Sequence, residues 1–358
     1  MKMVFWQNVL SMHQEALLVA LAKQVEVWLV YEEELYENRK ASGWYVPEFN
    51  GVRLVPVEHA ENLVPAFLQN LDHDYHLFSG INAYPKISNY FRMFYKRDPS
   101  RVMCILEKPG GVSTGLKSYM RRLMYRYFAY RYKRLQFLLT PGGEKYLVNA
   151  GFAREKVIPF GYFGPLKSDE IADIIETDHR VKKLVYVGNL STLKNTALLI
   201  RTLKMFETDR WQFTLIGDGE ERDALVQLVN DLLLTDRTVF LGRKSNDEVQ
   251  TILAGSDCLV LPSLYDGWGY VVNEALSAGC AVICSDACGV STVLGGCETC
   301  YVFHSDSIDS LHQAIENLFG KKINAAEKKK SIAFFNSHLS GESGANLLLN
   351  LLDIGGKE

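Results

Sequence analysis

Between Leu259 and Gly289 the chain reads LVLPSLYDGWGYVVNEALSAGCAVICSDACG, and few folds accommodate residues in that order. Leu259, Val260 and Leu261 form a short apolar run that Pro262 stops, the pattern of a strand buried on both faces of a parallel sheet. A turn follows, Asp266-Gly267-Trp268-Gly269, with a glycine on either side of an aromatic residue. Val271 to Leu276 then reads as a helix carrying Asn273 and Glu274 in its early turns, and Ala281 to Cys284 as a second buried strand. In a strand–loop–helix–strand unit the crevice at the carboxyl ends of the strands receives the ligand. Glycines allow close backbone approach there, and a helix N-terminus turns N–H groups toward an anion. Asp266 and Glu274, eight positions apart on the loop and the helix, are spaced to accept hydroxyls from two parts of one molecule. The expected ligand carries a diphosphate and several hydroxyls.

The stretch resembles the signature of retaining nucleotide-sugar glycosyltransferases of the GT-B fold, in particular their family 4. In that signature two Glu flank a Gly-Phe-Gly turn that follows a strand ending in Pro-Ser. Here Pro262-Ser263 and Gly267-Trp268-Gly269 match, Glu274 falls on the second Glu, and Asp266 replaces the first with one methylene fewer. The resemblance implies that Glu274 holds the ribose of the donor nucleotide and that Asp266 contacts the transferred sugar. The backbone of Gly267, Trp268 and Gly269, with Tyr270 beside it, would hold the diphosphate. Similar enzymes carry Gly-Arg…Lys-Gly in an earlier loop whose Arg and Lys grip that diphosphate. Gly188-Asn189-Leu190-Ser191-Thr192-Leu193-Lys194-Asn195 matches it at Gly188 and at Lys194, with Asn189 in place of the Arg. Arg243, after Phe240-Leu241-Gly242, either supplies the missing charge or is a solvent-exposed side chain.

The implied fold is α/β: two Rossmann-like domains facing an interdomain cleft, with a C-terminal helix returning to the first domain. The expected division is 1–167 for the acceptor-binding domain, 180–340 for the nucleotide-sugar domain and 341–358 for the crossover helix, with a linker from Leu166 to His179. A chain of 358 residues is comfortable for two cores. Met1 to Pro165 carries 21 Lys and Arg against 15 Asp and Glu, and the remainder 18 against 27, so the first half suits an anionic partner or surface. Seven cysteines, the lack of a secretory pattern in MKMVFWQNV, and no apolar run near the ~20 residues of a membrane span point to reduced thiols in the cytoplasm. Cys297-x-x-Cys300 is formally half a zinc site, but buried free thiols are the better reading.

Taken in order, Met1–Phe5 predicts a first strand and Ser11 the start of a helix, with a loop from Trp6 to Gln14 between them. The glycines that relatives place in this loop are missing; His13 is either an acceptor-side group or a capping or core residue. Further strands are expected at Val25–Val30, Val52–Val55, Tyr75–Phe78 and Val102–Leu106, with Glu32-Glu33-Glu34 a solvated loop or helix start. Asp72-His73-Asp74 is an Asp-x-Asp, yet it stands far from the donor motif and is not read as a metal site. Glu107, just past a strand end, stands near where many relatives have a sugar-contacting His. Leu116 to Gln136 holds seven Lys and Arg and no acid, interleaved with tyrosines and Phe128. Such a helix is either a membrane-surface element, with cations at anionic headgroups and aromatics at the interface, or an ordinary amphipathic helix.

The functional expectation is a retaining, metal-independent hexosyltransferase moving a sugar from a UDP- or GDP-linked donor to a glycan or lipid-linked acceptor. It would need no separate cofactor, bind no nucleic acid and work on the inner face of the membrane in polysaccharide or lipopolysaccharide synthesis. Its catalytic set would be Asp266, Lys194, Glu107 and His13. Alternatives are a non-catalytic sugar-nucleotide-binding protein and a GT-B epimerase.

Overall fold

The computed structural model describes residues 1–36, 45–108, 115–167 and 181–352. It divides into two compact units, Met1–Leu166 with Ser340–Glu358, and Lys167–Leu339. Most of the expected linker, from 168 onward, and the Pro109-Gly110-Gly111 segment lie outside the described residues.

In the first unit, strands β1 (Lys2–Val9), β2 (Glu26–Glu33), β3 (Arg53–Pro56), β4 (Tyr75–Phe78), β5 (Val102–Leu106), β6 (Gln136–Leu139) and β7 (Val157–Pro159) form one sheet. Their order is β3-β2-β1-β4-β5-β6-β7, and every neighbouring pair is parallel. Consecutive side chains of a strand point to opposite faces. Met3 and Phe5 therefore join the apolar cluster on one side while Val4 and Trp6 join the cluster on the other. The first of these clusters includes Leu17, Leu18 and Leu21 from the helix Met12–Ala22, and Ala345, Leu348 and Leu349 from the helix Gly341–Leu351. The chain rejoins this unit where it left it, Gly341 N donating to Gly164 O at 2.8 Å.

Three expectations need correction here. The first strand does not stop at Phe5 but runs to Val9, because Gln7 and Val9 pair with Tyr31 and Glu33, and Trp6 is buried with its Nε1 donating to His76 Nδ1 at 3.0 Å. Glu32 and Glu33 accordingly belong to strand β2 rather than to a loop. The basic stretch is also not one helix to Gln136: the helix is Leu116–Arg131, and Gln136 opens β6. Ser11 caps the first helix as expected, its hydroxyl accepting from His13 N at 3.3 Å.

The second unit holds β8 (Lys182–Val187), β9 (Trp211–Ile216), β10 (Thr238–Phe240), β11 (Cys258–Leu261), β12 (Ala281–Ser285) and β13 (Cys300–Phe303). They form a second parallel sheet in the order β10-β9-β8-β11-β12-β13. The order reverses direction between β8 and β11, so the connections after these two strands pass to opposite faces of the sheet and a crevice lies at its carboxyl edge. In the first sheet the equivalent reversal lies between β1 and β4. No helix among the described residues is long and apolar enough to cross a membrane.

Candidate functional site

At the β8/β11 switch point the two loops are tied by a backbone bond from Leu264 N to Leu193 O at 2.8 Å. That bond brings Lys194, from the loop after β8, against Asp266, from the loop after β11, and Lys194 Nζ forms an ion pair with Asp266 Oδ2. Both side chains are largely withdrawn from solvent. The two charges that the sequence assigned to different parts of a ligand thus neutralise each other, and a ligand phosphate would compete with Asp266 for the ammonium.

The Asp266 loop is held from the far side of the sheet edge. Asp266 and Cys288 form an isolated parallel bridge, with Gly289 N donating to Asp266 O at 3.2 Å, and Ser285 Oγ donates to Ser263 O at 2.6 Å. The Trp268 side chain turns inward: it is buried and its Nε1 donates to Asn273 Oδ1 at 2.9 Å. The apolar indole finds room in the core, so only the backbone of the turn remains for a ligand. Gly269 has φ +93°, and a Cβ there would stand 3.0 Å from Leu261 Cδ2, so no larger residue keeps this turn unstrained. Tyr270 occupies the N-cap position of the helix Val271–Ser277, which no side chain caps. Helix N-termini of this kind offer amide hydrogens to an anion.

Glu274 lies in the first turn of that helix, half-buried. Burial pushes its carboxyl up to about 7. No hydrogen bond or ion pair of the Glu274 carboxylate occurs among the described residues. A desolvated, uncompensated carboxylate costs stability, and such groups concentrate where a ligand supplies the missing partner.

Gly188 and Asn189 follow β8. The first packs so closely on the next loop that a Cβ at Gly217 would meet Gly188 O at 1.9 Å, which accounts for the glycine at position 217. Asn189 is exposed, and its carbonyl accepts from the buried Tyr186 hydroxyl at 2.8 Å. Arg243 is exposed after β10, two strands from β8, or roughly 10 Å along the sheet edge. Sequence reasoning missed the anchoring roles of Tyr186 and Asn273, since neither differs in composition from an ordinary strand or helix residue.

The first unit carries a second polar concavity at its own switch point, about 330 Å³ in volume, lined among others by Gln7, His13, Gln14, Ser79, Glu107 and Tyr162. Here the structure does bring His13 and Glu107 together. The Tyr162 hydroxyl donates to Glu107 Oε1 at 2.5 Å, and the Tyr162 and His13 rings are 5.7 Å apart. Buried Gln7 Nε2, Gln14 Oε1 and Ser79 Oγ have no hydrogen-bond partner among the described residues. A polar residue inside the apolar run VFWQNV was the available signal for Gln7.

Asp72 and Asp74 do not converge. Asp72 is exposed, whereas Asp74 is buried and accepts from Lys2 N at 2.6 Å, closing the start of β1. Cys297 is buried and Cys300 nearly so, both as free thiols; no cluster of three or more metal-ligating side chains occurs among the described residues.

Residues 167–333 match the family described as Glycosyl transferases group 1. The chain is 26% identical over 207 residues to the N-acetylgalactosamine-N,N'-diacetylbacillosaminyl-diphospho-undecaprenol 4-alpha-N-acetylgalactosaminyltransferase of Campylobacter jejuni. That match spans 54% of this chain and 56% of the relative, so it reaches little more than half of either. Among solved structures, Alr3699/HepE of Anabaena in complex with UDP is 15% identical, covers 99% of this chain and 100% of its own, and superposes with a TM-score of 0.69. The lipopolysaccharide outer core galactosyltransferase WaaB in its apo form is 14% identical over 98% of this chain and all of its own, at a TM-score of 0.68. The fold of the whole chain is thus GT-B.

Proposed function

We propose that the protein is a retaining glycosyltransferase that moves a sugar from a nucleoside-diphosphate sugar to a glycan or lipid-linked acceptor in surface-polysaccharide or lipopolysaccharide synthesis. The observation that carries this reading is the partnerless, half-buried Glu274 carboxylate beside an uncapped helix N-terminus and the Lys194–Asp266 pair. A carboxylate for a diol, amides for a diphosphate and a cation for its charge are the groups a nucleoside-diphosphate sugar requires. The group 1 match falls on the unit that holds them. The Campylobacter relative, named for a diphospho-undecaprenol-linked substrate, supports a lipid-linked acceptor.

In this mechanism the bond between the sugar's anomeric carbon and the diphosphate oxygen breaks, and the electron pair goes to the departing diphosphate. Lys194 leaves Asp266 to stabilise that charge, which acts where negative charge grows and so lowers the barrier. Asp266, released, accepts a hydroxyl of the transferred sugar. An acceptor hydroxyl attacks the same face, and its proton passes to the departing phosphate oxygen. Lys194 and the amides supply the stabilisation a metal gives elsewhere, so the reaction is metal-independent. The acceptor binds in the Gln7–Glu107 concavity of the first unit, with His13 and Glu107 touching its hydroxyls. The protein works in the cytoplasm, bound peripherally to the inner face of the membrane through the basic helix Leu116–Arg131.

The test is a panel of UDP- and GDP-linked sugars incubated with the protein, scoring hydrolysis and transfer and reading the anomeric configuration of the product by NMR. Retained configuration is expected. Tight binding of a donor with neither hydrolysis nor transfer would instead favour the non-catalytic binding protein.

A further inference from the structure

The helix Leu116–Arg131 leaves Leu116, Tyr119, Met120, Leu123, Tyr127 and Tyr130 between 40% and 76% exposed. Their spacing of three, four and seven places them on one stripe of an α-helix, at about 100° per residue. Phe128 and Ala129, on the opposite side, are buried in the first unit's core. The apolar stripe thus faces outward. On one flank of it, Arg122 and Arg126 stand one turn apart and line a concavity of about 530 Å³ with Tyr146, Asn149 and Ala150. Neither guanidinium forms an ion pair or hydrogen bond among the described residues. The Tyr146 hydroxyl, out of contact with solvent, has no partner either.

Two forked cations, an amide and an unused hydroxyl around one hollow match the oxygens of a phosphate, which guanidinium groups bind two at a time. An apolar stripe alongside supplies what a chain attached to that phosphate would touch. We propose that Arg122 and Arg126 form a headgroup site that grips a lipid phosphate while the outward stripe of the same helix enters the interfacial region of an anionic membrane. This inference rests on the membrane-surface reading above and replaces its diffuse attraction with a defined site. Lysine at both positions keeps the charge but not the fork, so it separates the two ideas.

Binding is measured by co-sedimentation with vesicles of zwitterionic lipid containing a minority of phosphatidic acid, using the full chain. The double variant Arg122→Lys/Arg126→Lys is compared with Lys117→Ala/Arg131→Ala, which removes two charges elsewhere on the helix. The expected result is a loss of about tenfold or more for the lysine pair although it keeps both charges, while the alanine pair, losing two charges, gives the size of a purely electrostatic loss. Thermal unfolding checks that both variants fold. Equal binding by the lysine pair and the wild type would overturn the site while leaving diffuse membrane attraction standing. Failure of the wild type to bind any anionic vesicle at low salt would overturn both. Binding of inorganic pyrophosphate by the wild type, lost in the lysine pair but unaccompanied by vesicle binding, would assign the hollow to a free phosphate and reject the lipid.

Discussion

Glu274 gives the sharpest prediction, because one side chain ties stability to binding in opposite directions. Its carboxyl is moved from 4.5 to about 7 by burial. A folded value above the unfolded one means that the folded protein holds the extra proton. The associated stability is complete below about pH 4.5 and is lost as pH rises through 7. The difference is worth roughly 3 kcal/mol for a group this withdrawn from water. Glu274→Gln keeps the shape and removes the charge, so near pH 8 the empty variant should be more stable by about 2–3 kcal/mol. In a unit of this size that is a rise of roughly 5–10 °C in Tm. Ligand binding should behave in the reverse sense. If the ionised carboxylate accepts the ribose hydroxyls, going from about pH 8 to about 5.5 empties it from some nine-tenths ionised to roughly 3% and weakens a nucleoside diphosphate about 30-fold. Calorimetric titration of wild type and Glu274→Gln across that range separates this from titration of the diphosphate itself, which both proteins share. Only the wild type should show the additional slope, and the variant should bind weakly throughout. Identical pH profiles, or wild-type affinity in the variant, would remove Glu274 from the ribose site whatever its effect on Tm.

Other expectations follow from the same geometry. Lys194→Ala should lower turnover far more than affinity for a bare nucleoside, since it removes the cation paired with Asp266; steady-state kinetics set beside nucleoside titration decide this, and unchanged turnover would move the role elsewhere. Gly269→Ala should destabilise by about 1–3 kcal/mol in denaturant unfolding, because its φ of +93° disfavours a side chain and the new methyl meets Leu261 at 3.0 Å. His76, buried beside Trp6 and Phe94, is held neutral by desolvation down to about 3. Its folded value lies below the ordinary one, so stability is full above about pH 6.5 and falls by several kcal/mol toward pH 3; urea titrations at stepped pH should show that slope, and His76→Phe should flatten it. Transfer activity should persist in excess EDTA, and loss restored by magnesium or manganese would contradict the proposed role of Lys194.

Most of the strands were legible from sequence because a parallel sheet buried on both faces demands short continuous apolar runs, and Leu259–Leu261 and Ala281–Cys284 are such runs. The first strand's last residues were not, because Gln7 and Asn8 break the apolar pattern; the strand continues only because β2 lies alongside to take its hydrogen bonds. The inward turn of Trp268 was not legible either, because only the packed unit provides both the space and the Asn273 side-chain carbonyl that hold its indole.

For the site, the sequence by itself determined which side chains could contribute chemistry. The spacing of Asp266 and Glu274 around a glycine turn put a carboxylate on the loop and another on the helix, a local property of about one strand and one helical turn. What only the tertiary structure decided was how those groups stand toward each other. Lys194 and Asp266 are separated by 72 positions, and nothing local foretells that one neutralises the other. That contact exists because β8 and β11 are adjacent parallel strands, so the loops at their carboxyl ends meet, while the same order leaves Arg243 two strands away. Glu274's raised carboxyl has the same origin, since desolvation depends on what packs around a residue and not on its neighbours in the chain.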